Sequence, residues 1–190
     1  MSSSSTAADL VAYGRERMAR WRVAALAVLI VGLAFIVDAP RDALDALARA
    51  GLGLLLIAQF RLWDDLADRA YDSVHHAARV LPRSQATAWF WMVFVLLALV
   101  AAAAITALRG GPAALQIYLG LMVLLALVYH GPMRLPRFIR VQLVLLKYPT
   151  FVVLLVAPGF SFRALLAGAV GYFVLSVLEW YDDSGLRRSA

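Results

Sequence analysis

The sequence predicts an all-α membrane protein, a polytopic bundle of about six transmembrane helices. Of its 190 residues, 63% are hydrophobic and 16% are charged, and the mean hydropathy is +0.79. This composition is too apolar for a soluble domain of the same length. Two stretches without Asp, Glu, Lys or Arg, 84–108 and 110–133, are longer than the roughly 20 residues that span the hydrocarbon of a bilayer.

Six charge-free stretches define the helices in order, and the four shorter ones reach a spanning length by including their flanking residues. The stretches cover 23–37, 50–60, 84–108, 110–133, 148–162 and 164–178. The predicted helices accordingly cover 21–37, 43–63, 86–108, 112–129, 138–157 and 162–181. Pro149 and Pro158 are expected to kink or end the fifth helix, because proline has no N–H to donate to the preceding turn.

The segment before the first helix is expected to be separate from the bundle. Residues 1–20 form a predicted cytoplasmic N-terminal segment, and its serine tract at 1–6 is expected to be disordered. Four arginines ahead of an apolar run resemble the start of a signal peptide, but Pro40 directly after Ala39 makes a poor cleavage site and five further spans follow. We therefore expect a retained first helix and one transmembrane domain over 21–190.

The distribution of arginine predicts the orientation of the bundle. If the N-terminus is cytoplasmic, thirteen arginines lie on that side: Arg15, Arg17, Arg20, Arg22, Arg61, Arg69, Arg79, Arg83, Arg134, Arg137, Arg140, Arg187 and Arg188. Four lie on the opposite side: Arg41, Arg49, Arg109 and Arg163. The positive-inside rule then places both termini in the cytoplasm, and we expect a bacterial inner (cytoplasmic) membrane.

Composition also argues against several classes of function. The net charge of +6 is explained by this topology and by contact with anionic membrane lipid, so nucleic-acid binding is not expected. The chain has no cysteine, which excludes disulfides and thiolate metal sites. It shows no Ser/His/Asp triad, zinc-ligand spacing or glycine-rich phosphate loop. A channel or transporter is disfavoured because no span carries the polar breaks of an inverted repeat.

The most informative motif is a run of aspartates at the end of the second predicted helix: Asp64, Asp65, Asp68 and Asp72. On a helix these spacings gather the carboxylates on one face, with Arg61 one turn before Asp65. The carboxylates would repel one another, and at the C-terminus of a helix they also oppose its dipole, so they imply a bound cation. Oxygen ligands favour Mg²⁺ or Ca²⁺ over zinc. The alternative is a solvated polar loop after a span.

Two further polar sets are predicted on the same side of the membrane. The basic set begins with Tyr129 and Arg134 after the fourth helix and continues with Arg137, Arg140 and, about two turns inside the fifth helix, Lys147, while Arg79 continues the aspartate run. The acidic set ends the sixth helix and contains Glu179, Asp182 and Asp183. Two acidic sets facing a basic one suit a metal-bound diphosphate, because Mg²⁺ shares carboxylate and phosphate oxygens while Arg and Lys bind the rest. For Lys147, snorkelling towards the membrane surface is the alternative.

At the first acidic run the chain resembles the UbiA superfamily of membrane prenyltransferases. The first motif of that family has the form N-D-x-x-D-x-x-x-D, usually with an Arg three residues upstream. Arg61 and the run 64–72 are similar to this motif, with Asp64 in place of Asn. The Arg-Pro-Leu segment that often follows in the family is similar to the segment that begins at Arg79, which keeps the arginine and loses the Pro and Gly.

The two later polar sets extend the resemblance in the same order along the chain. The family carries a tyrosine followed by a basic residue after its fourth helix, which is similar to Tyr129 and Arg134. Its second aspartate motif, D-x-x-x-D, follows the sixth helix and is similar to 179–183, with Glu179 at the first position. The order and helix placement of all three motifs agree.

The resemblance implies Mg²⁺-dependent transfer of a prenyl group from a prenyl diphosphate to an acceptor that the sequence does not identify. The implied metal ligands are Asp64, Asp65, Asp68, Asp72, Glu179, Asp182 and Asp183. The implied catalytic acids are Asp65, Asp68, Asp72 and Asp183. The implied diphosphate-binding residues are Arg61, Arg79, Tyr129, Arg134 and Lys147. In such a mechanism the cations stabilise the charge that develops as the C–O bond breaks, and the apolar bundle keeps water from the allylic cation.

The chain also departs from this family. Family members typically have nine helices, whereas six are predicted here and the sequence ends soon after Asp183. We therefore expect a homo-oligomer or a complex with another membrane protein, with contacts at the fifth and sixth helices, where the small residues at 167–171 permit close approach. A second hypothesis is a non-catalytic membrane subunit or scaffold that binds a polyprenyl lipid or a partner protein.

Overall fold

The computed structural model describes residues 3–131, 135–156 and 161–183, with side chains described from residue 6 to residue 178 within these ranges. All ten elements in these ranges are α-helices. They are α1 (Ser3–Arg17), α2 (Trp21–Val37), α3 (Ala43–Ala67), α4 (Arg69–His75), α5 (Val80–Arg83), α6 (Thr87–Arg109), α7 (Pro112–His130), α8 (Arg137–Leu145), α9 (Lys147–Leu155) and α10 (Phe162–Asp183).

The six predicted helices are present at the predicted places in the chain. The first, second, third, fourth and sixth correspond to α2, α3, α6, α7 and α10. The fifth is broken at Leu146 into α8 and α9. Pro149 explains the break, because it has no N–H for the carbonyl of Leu145 and its ring crowds that carbonyl. The fifth predicted helix is thus interrupted three residues before Pro149, while Pro158 lies outside the described residues.

Among the described residues, four stretches are long and apolar enough to cross a membrane. They are α3, α6, α7 and the combined stretch Arg137–Leu155. α1 and α2 add a fifth if they form one broken span, since they are bent 68° to each other, and the apolar part of α10, Phe162–Leu178, is shorter. The chain is thus a polytopic all-α membrane protein, with four or five candidate spans where about six are predicted.

The N-terminal segment is more ordered than its composition predicts. α1 begins at Ser3, whereas the sequence predicts a disordered tract through Thr6. Two further short helices, α4 and α5, occupy the predicted loop between the second and third helices. α1 packs mainly against α5, so that it covers one end of the bundle. The tertiary contacts of α1, described below, outweigh the weak helix preference of serine.

The core of the bundle forms around α3. This helix packs against α2, α6 and α9, while α10 packs against α2 and α9. Phe60 lies at the centre, with its ring centroid 5.2 Å from that of Phe151, 6.0 Å from that of Trp63 and 6.3 Å from that of Tyr118. Such offset and edge-on aromatic contacts add specificity to the apolar packing.

Two small residues of the sixth predicted helix are used within the chain. A Cβ atom at Gly168 would lie 3.1 Å from the Pro149 side chain, and one at Gly171 would lie 3.0 Å from Leu33. These glycines let α10 approach α9 and α2 closely. The close approach that the sequence predicts between two chains at 167–171 is therefore found, at these two positions, between helices of one chain.

Candidate functional site

Asp64 lies where α3, α7 and α9 meet. We call the region around Asp64, Asp65, Asp68 and Asp72 the carboxylate end. The ammonium group of Lys147 and the hydroxyl group of Tyr129 each donate a hydrogen bond to the Asp64 carboxylate. Lys147 is 2% exposed. A buried ammonium needs a charged partner, because its desolvation is otherwise uncompensated. The ion pair with Asp64 therefore explains how a lysine is accommodated in the fifth predicted span.

Asp65 is bound by two residues of α1. The Tyr13 hydroxyl donates to Oδ2 of Asp65 at 2.7 Å, and Nε of Arg17 donates to the same oxygen at 2.8 Å. A second guanidinium nitrogen of Arg17 binds Oδ1. All three side chains are buried. Asp65 is consequently neutralised by a bidentate arginine, the strong form of charge-assisted hydrogen bonding.

Asp68 and Asp72 pair with two further arginines. Asp72 is buried and accepts a hydrogen bond of 2.6 Å from Arg79, while Asp68 is about half-exposed and lies 3.4 Å from a guanidinium nitrogen of Arg140. Partial burial raises the pKa of the Asp68 carboxyl above its usual range, Arg140 opposes this increase, and the three neighbouring aspartates add to it. α3 ends at Ala67 and Asp72 lies on α4, so the aspartate run continues past the end of α3.

A polar cavity of about 550 Å³ opens beside these residues. Its lining includes three carboxylates, which belong to Asp64, Asp65 and Asp68. It also includes five cations, which belong to Arg17, Arg61, Arg137, Arg140 and Lys147. Five positive charges against three negative ones give the lining a net positive charge, which favours an anionic ligand.

An apolar cavity of about 400 Å³ adjoins the polar one. Its walls are formed mainly by α2, α3, α9 and α10 and include Ile57, Phe60, Phe151 and Leu175. Four residues line both cavities: Arg61, Leu145, Lys147 and Tyr148. The polar cavity is lined by eight charged side chains, whereas the adjoining cavity is lined mainly by apolar side chains together with Arg20, Arg22, Arg61 and Lys147. This arrangement suits an amphiphile with an anionic head group and an apolar chain.

Arg61 is the residue that distinguishes this region from an ordinary network of ion pairs. It lines both cavities, and its Nε atom is buried without a hydrogen-bond partner among the described residues. Every aspartate of the run has another cation as its partner. A guanidinium group with a buried, unsatisfied nitrogen carries a desolvation cost that an anion in either cavity would relieve.

The described carboxylates do not form a metal site in this arrangement. Among the residues that the structure describes, no group of three or more His, Cys, Asp or Glu side chains could hold a metal ion. A magnesium ion at the aspartate run would first have to displace the cations that bind Asp64, Asp65, Asp68 and Asp72. The side chains of the remaining predicted ligands, Glu179, Asp182 and Asp183, lie outside the described residues, as does Arg134.

Of the eight predicted site residues whose side chains the structure describes, six line the polar cavity. Around the polar cavity lie Asp64, Asp65, Asp68, Arg61, Tyr129 and Lys147. Asp72 and Arg79 pair with each other outside the lining of that cavity. Two residues that are not among the predicted site residues also contact its aspartates, Tyr13 and Arg17, as does Arg140 of the predicted basic set. The i, i+4 spacing of Tyr13 and Arg17 is a local signal that they share a helix face, but it does not indicate Asp65 as their partner.

Comparison of the chain with protein-family models, with curated proteins and with solved structures gives no match.

Proposed function

We propose that the protein is a UbiA-like intramembrane prenyltransferase that binds a prenyl diphosphate across its two adjoining cavities. The observation that carries the proposal is Arg61, which lies at the boundary of the polar and apolar cavities with a buried nitrogen that has no partner among the described residues. A prenyl diphosphate has its anionic group joined directly to its apolar chain. Arg61 is therefore placed for the junction of such a ligand.

In this proposal the polar cavity holds the diphosphate, and the apolar cavity holds the prenyl chain. Arg61 and Lys147 would bind phosphate oxygens, and Tyr129 would orient Asp64 through its hydroxyl group. As the bond between the allylic carbon and the diphosphate oxygen breaks, these cations stabilise the negative charge on the leaving group. Phe60 and Phe151 line the chamber in which the allylic cation would be kept from water.

The resemblance assigns Mg²⁺ to this reaction, where the ion would supply positive charge to neutralise the diphosphate. The acceptor would attack the allylic carbon and then lose a proton. We also propose that both termini are cytoplasmic and that the protein resides in a bacterial inner membrane, because thirteen arginines against four favour that orientation.

The test is ligand binding by the purified protein in lipid nanodiscs. We expect farnesyl diphosphate to bind more tightly than inorganic pyrophosphate, which lacks the chain, and more tightly than farnesol, which lacks the charge. Addition of Mg²⁺ and a membrane lipid extract as acceptor should then release diphosphate, and EDTA should stop the release. Equal affinity for farnesol and farnesyl diphosphate would contradict the proposed role of the polar cavity.

The second candidate function is a non-catalytic membrane subunit that binds a polyprenyl lipid. The observation that favours it is the pairing of Asp64, Asp65, Asp68 and Asp72 with cations of the same chain. This subunit would bind farnesyl diphosphate tightly and release no diphosphate with any acceptor extract or divalent cation. Binding and release measured on one preparation therefore separate the two functions.

A further inference from the structure

Four basic side chains line the apolar cavity, and two of them line that cavity alone. Arg61 and Lys147 also line the polar cavity, whereas Arg20 and Arg22 do not. Among the described residues that line the apolar cavity, none is acidic. The part of this cavity at Arg20 and Arg22 therefore carries positive charge that the proposed function does not use, and it favours an anionic group.

Arg20 and Arg22 form no ion pair with any acid that the structure describes. Nε of Arg20 donates to the backbone carbonyl of Glu16 at 2.7 Å, and the Arg22 guanidinium lies 5.9 Å from the centroid of the Trp21 ring. Neither contact neutralises a positive charge. A phosphate group would do so, because arginine binds phosphate oxygens through two parallel hydrogen bonds.

The apolar cavity reaches the protein surface at residues of α2 and α10. Trp21 is 74% exposed and Leu178 is 55% exposed, and both line the cavity. If α2 crosses the bilayer, residues 20–22 lie at its membrane–water interface, where arginine and tryptophan are commonly found. The exposed surface of apolar helices faces lipid in a membrane, so a ligand can enter the cavity directly from the bilayer.

The remaining walls of the cavity suit an acyl chain. Leu26 and Leu29 of α2 and Leu175 of α10 line it, and its volume of about 400 Å³ is that of a single small-ligand site. An anionic phospholipid carries its phosphate directly beside its acyl chains. Arg20 and Arg22 can therefore bind the phosphate while one chain lies along the leucines, and basic residues at a membrane surface attract such lipids.

We propose that the apolar cavity is a binding site for an anionic phospholipid of the surrounding membrane, with the phosphate at Arg20 and Arg22 and one acyl chain between α2 and α10. The site goes beyond the proposed function, which places a prenyl chain in the same cavity. The phospholipid therefore has to leave before the prenyl diphosphate enters, and the anionic-lipid content of the membrane controls how readily the prenyl ligand binds.

The first experiment counts the lipids that the purified protein retains, by native mass spectrometry from a neutral detergent. The protein is titrated with dioleoyl phosphatidylglycerol and, separately, with dioleoyl phosphatidylcholine, which has the same chains and no net charge. We expect one phosphatidylglycerol to bind roughly 30-fold more tightly than phosphatidylcholine. Glycerol phosphate, which lacks the chains, should not displace it. Equal affinity for the two lipids, or displacement by glycerol phosphate, would overturn the proposal.

The second experiment separates the site from the general attraction of a basic protein to anionic lipid. Arg20→Gln and Arg22→Gln should each weaken phosphatidylglycerol binding roughly fivefold, and the double variant should weaken it roughly 30-fold. Arg15→Gln removes a charge from an exposed position outside the described lining of the cavity, and it should bind as the parent does. If all three single variants weaken binding alike, the attraction is general and the proposal is wrong.

A third pair of variants tests the position of the acyl chain. Ala25 lines the cavity, whereas its neighbour Ala24 does not, and both are exposed, so neither substitution should disturb folding. Ala25→Phe places a ring in the cavity and should weaken phosphatidylglycerol binding at unchanged charge. Ala24→Phe is the matched control and should bind as the parent does. The same affinity in both variants would place the lipid outside the cavity.

The outcomes separate this inference from the proposed function, because phosphatidylglycerol binding is measured without a prenyl ligand. If farnesyl diphosphate binds tightly and phosphatidylglycerol binds no better than phosphatidylcholine, the phospholipid site is wrong and the proposed function stands. If phosphatidylglycerol binds as expected and farnesyl diphosphate does not bind even without it, the proposed function is wrong and the phospholipid site stands.

Discussion

The two ends of the bundle both contain buried arginines, but they use them differently. At the end opposite the carboxylates, Arg49 is 2% exposed and pairs with Asp38 and Asp45, each at 2.7 Å. Arg109 donates to the backbone carbonyls of Leu154 and Leu155, which end α9. The Arg49 partners lie at most eleven residues away in sequence. Neither cavity described above is lined by these residues.

At the carboxylate end, the partners of Asp64 and Asp65 are distant in sequence and line a cavity. Arg17 lies 48 residues from Asp65, and Lys147 lies 83 residues from Asp64. Arg61 remains there with an unsatisfied buried nitrogen. Arg49, which is paired with its neighbours in sequence, stabilises the turn between α2 and α3. Charges gathered from several helices around a cavity, where Nε of Arg61 is buried without a hydrogen-bond partner among the described residues, are typical of a ligand site.

The largest effect is expected when a long-range pair is broken on one side only. Asp64→Asn leaves the buried Lys147 ammonium without a carboxylate, and this should lower the free energy of unfolding by roughly 3–5 kcal/mol. The double variant Asp64→Asn, Lys147→Met should recover much of that loss, because it removes the unpaired charge as well. Thermal unfolding in detergent measures the coupling between the two sites. If the effects of the single variants simply add, the pair is not energetically coupled.

Disruption of the local cluster should affect stability but not ligand binding. Arg49→Met leaves Asp38 and Asp45 without their arginine, and since both carboxylates are partly exposed we expect a loss of roughly 2–3 kcal/mol in the free energy of unfolding. Farnesyl diphosphate affinity, measured below the unfolding temperature, should match that of the parent. A large loss of affinity in this variant would remove the distinction between the two ends.

Arg61 should show the opposite behaviour. Arg61→Gln removes a charged donor from both cavities, so farnesyl diphosphate should bind roughly 10- to 150-fold more weakly, as expected for a hydrogen bond to a charged group. The free energy of unfolding should not fall, because one nitrogen of the guanidinium group is buried without a partner among the described residues. Arg83→Gln, at an exposed position of the same end, is the matched control. A stability loss without an affinity loss would assign Arg61 to the fold.

The smallest effect concerns the pH dependence of Asp68. Its pKa is raised in the folded state, so its ionised form opposes folding at neutral pH, and this opposition disappears as the pH falls through the raised pKa towards the unfolded value of about 3.8. Asp68→Asn should therefore be slightly more stable than the parent at neutral pH. The difference should shrink on acidification, and a difference that is constant with pH would contradict the raised pKa.

Local features of the sequence account for most of the fold. The bounds 21–37 match α2 because a charge-free run with charged ends determines a helix in a membrane without help from other segments. Pro149 similarly predicts the break at Leu146, since the clash that it causes is with its own preceding turn. α1 could not be predicted in this way, because its buried residues face Asp65 and Phe90, which lie 52 and 77 residues further along the chain.

By itself the sequence determined the class of protein, the order of the helices and the gathering of acids and bases at one end, because hydropathy and helix periodicity act over short distances. The tertiary structure decided which charge meets which. In the tertiary structure Asp65 pairs with Arg17, Asp64 pairs with Lys147, and Arg61 lies at the boundary of two cavities. The physical reason is that any of these basic side chains could pair with either aspartate. Only the packing of α1, α3, α7 and α9 determines which pairs form.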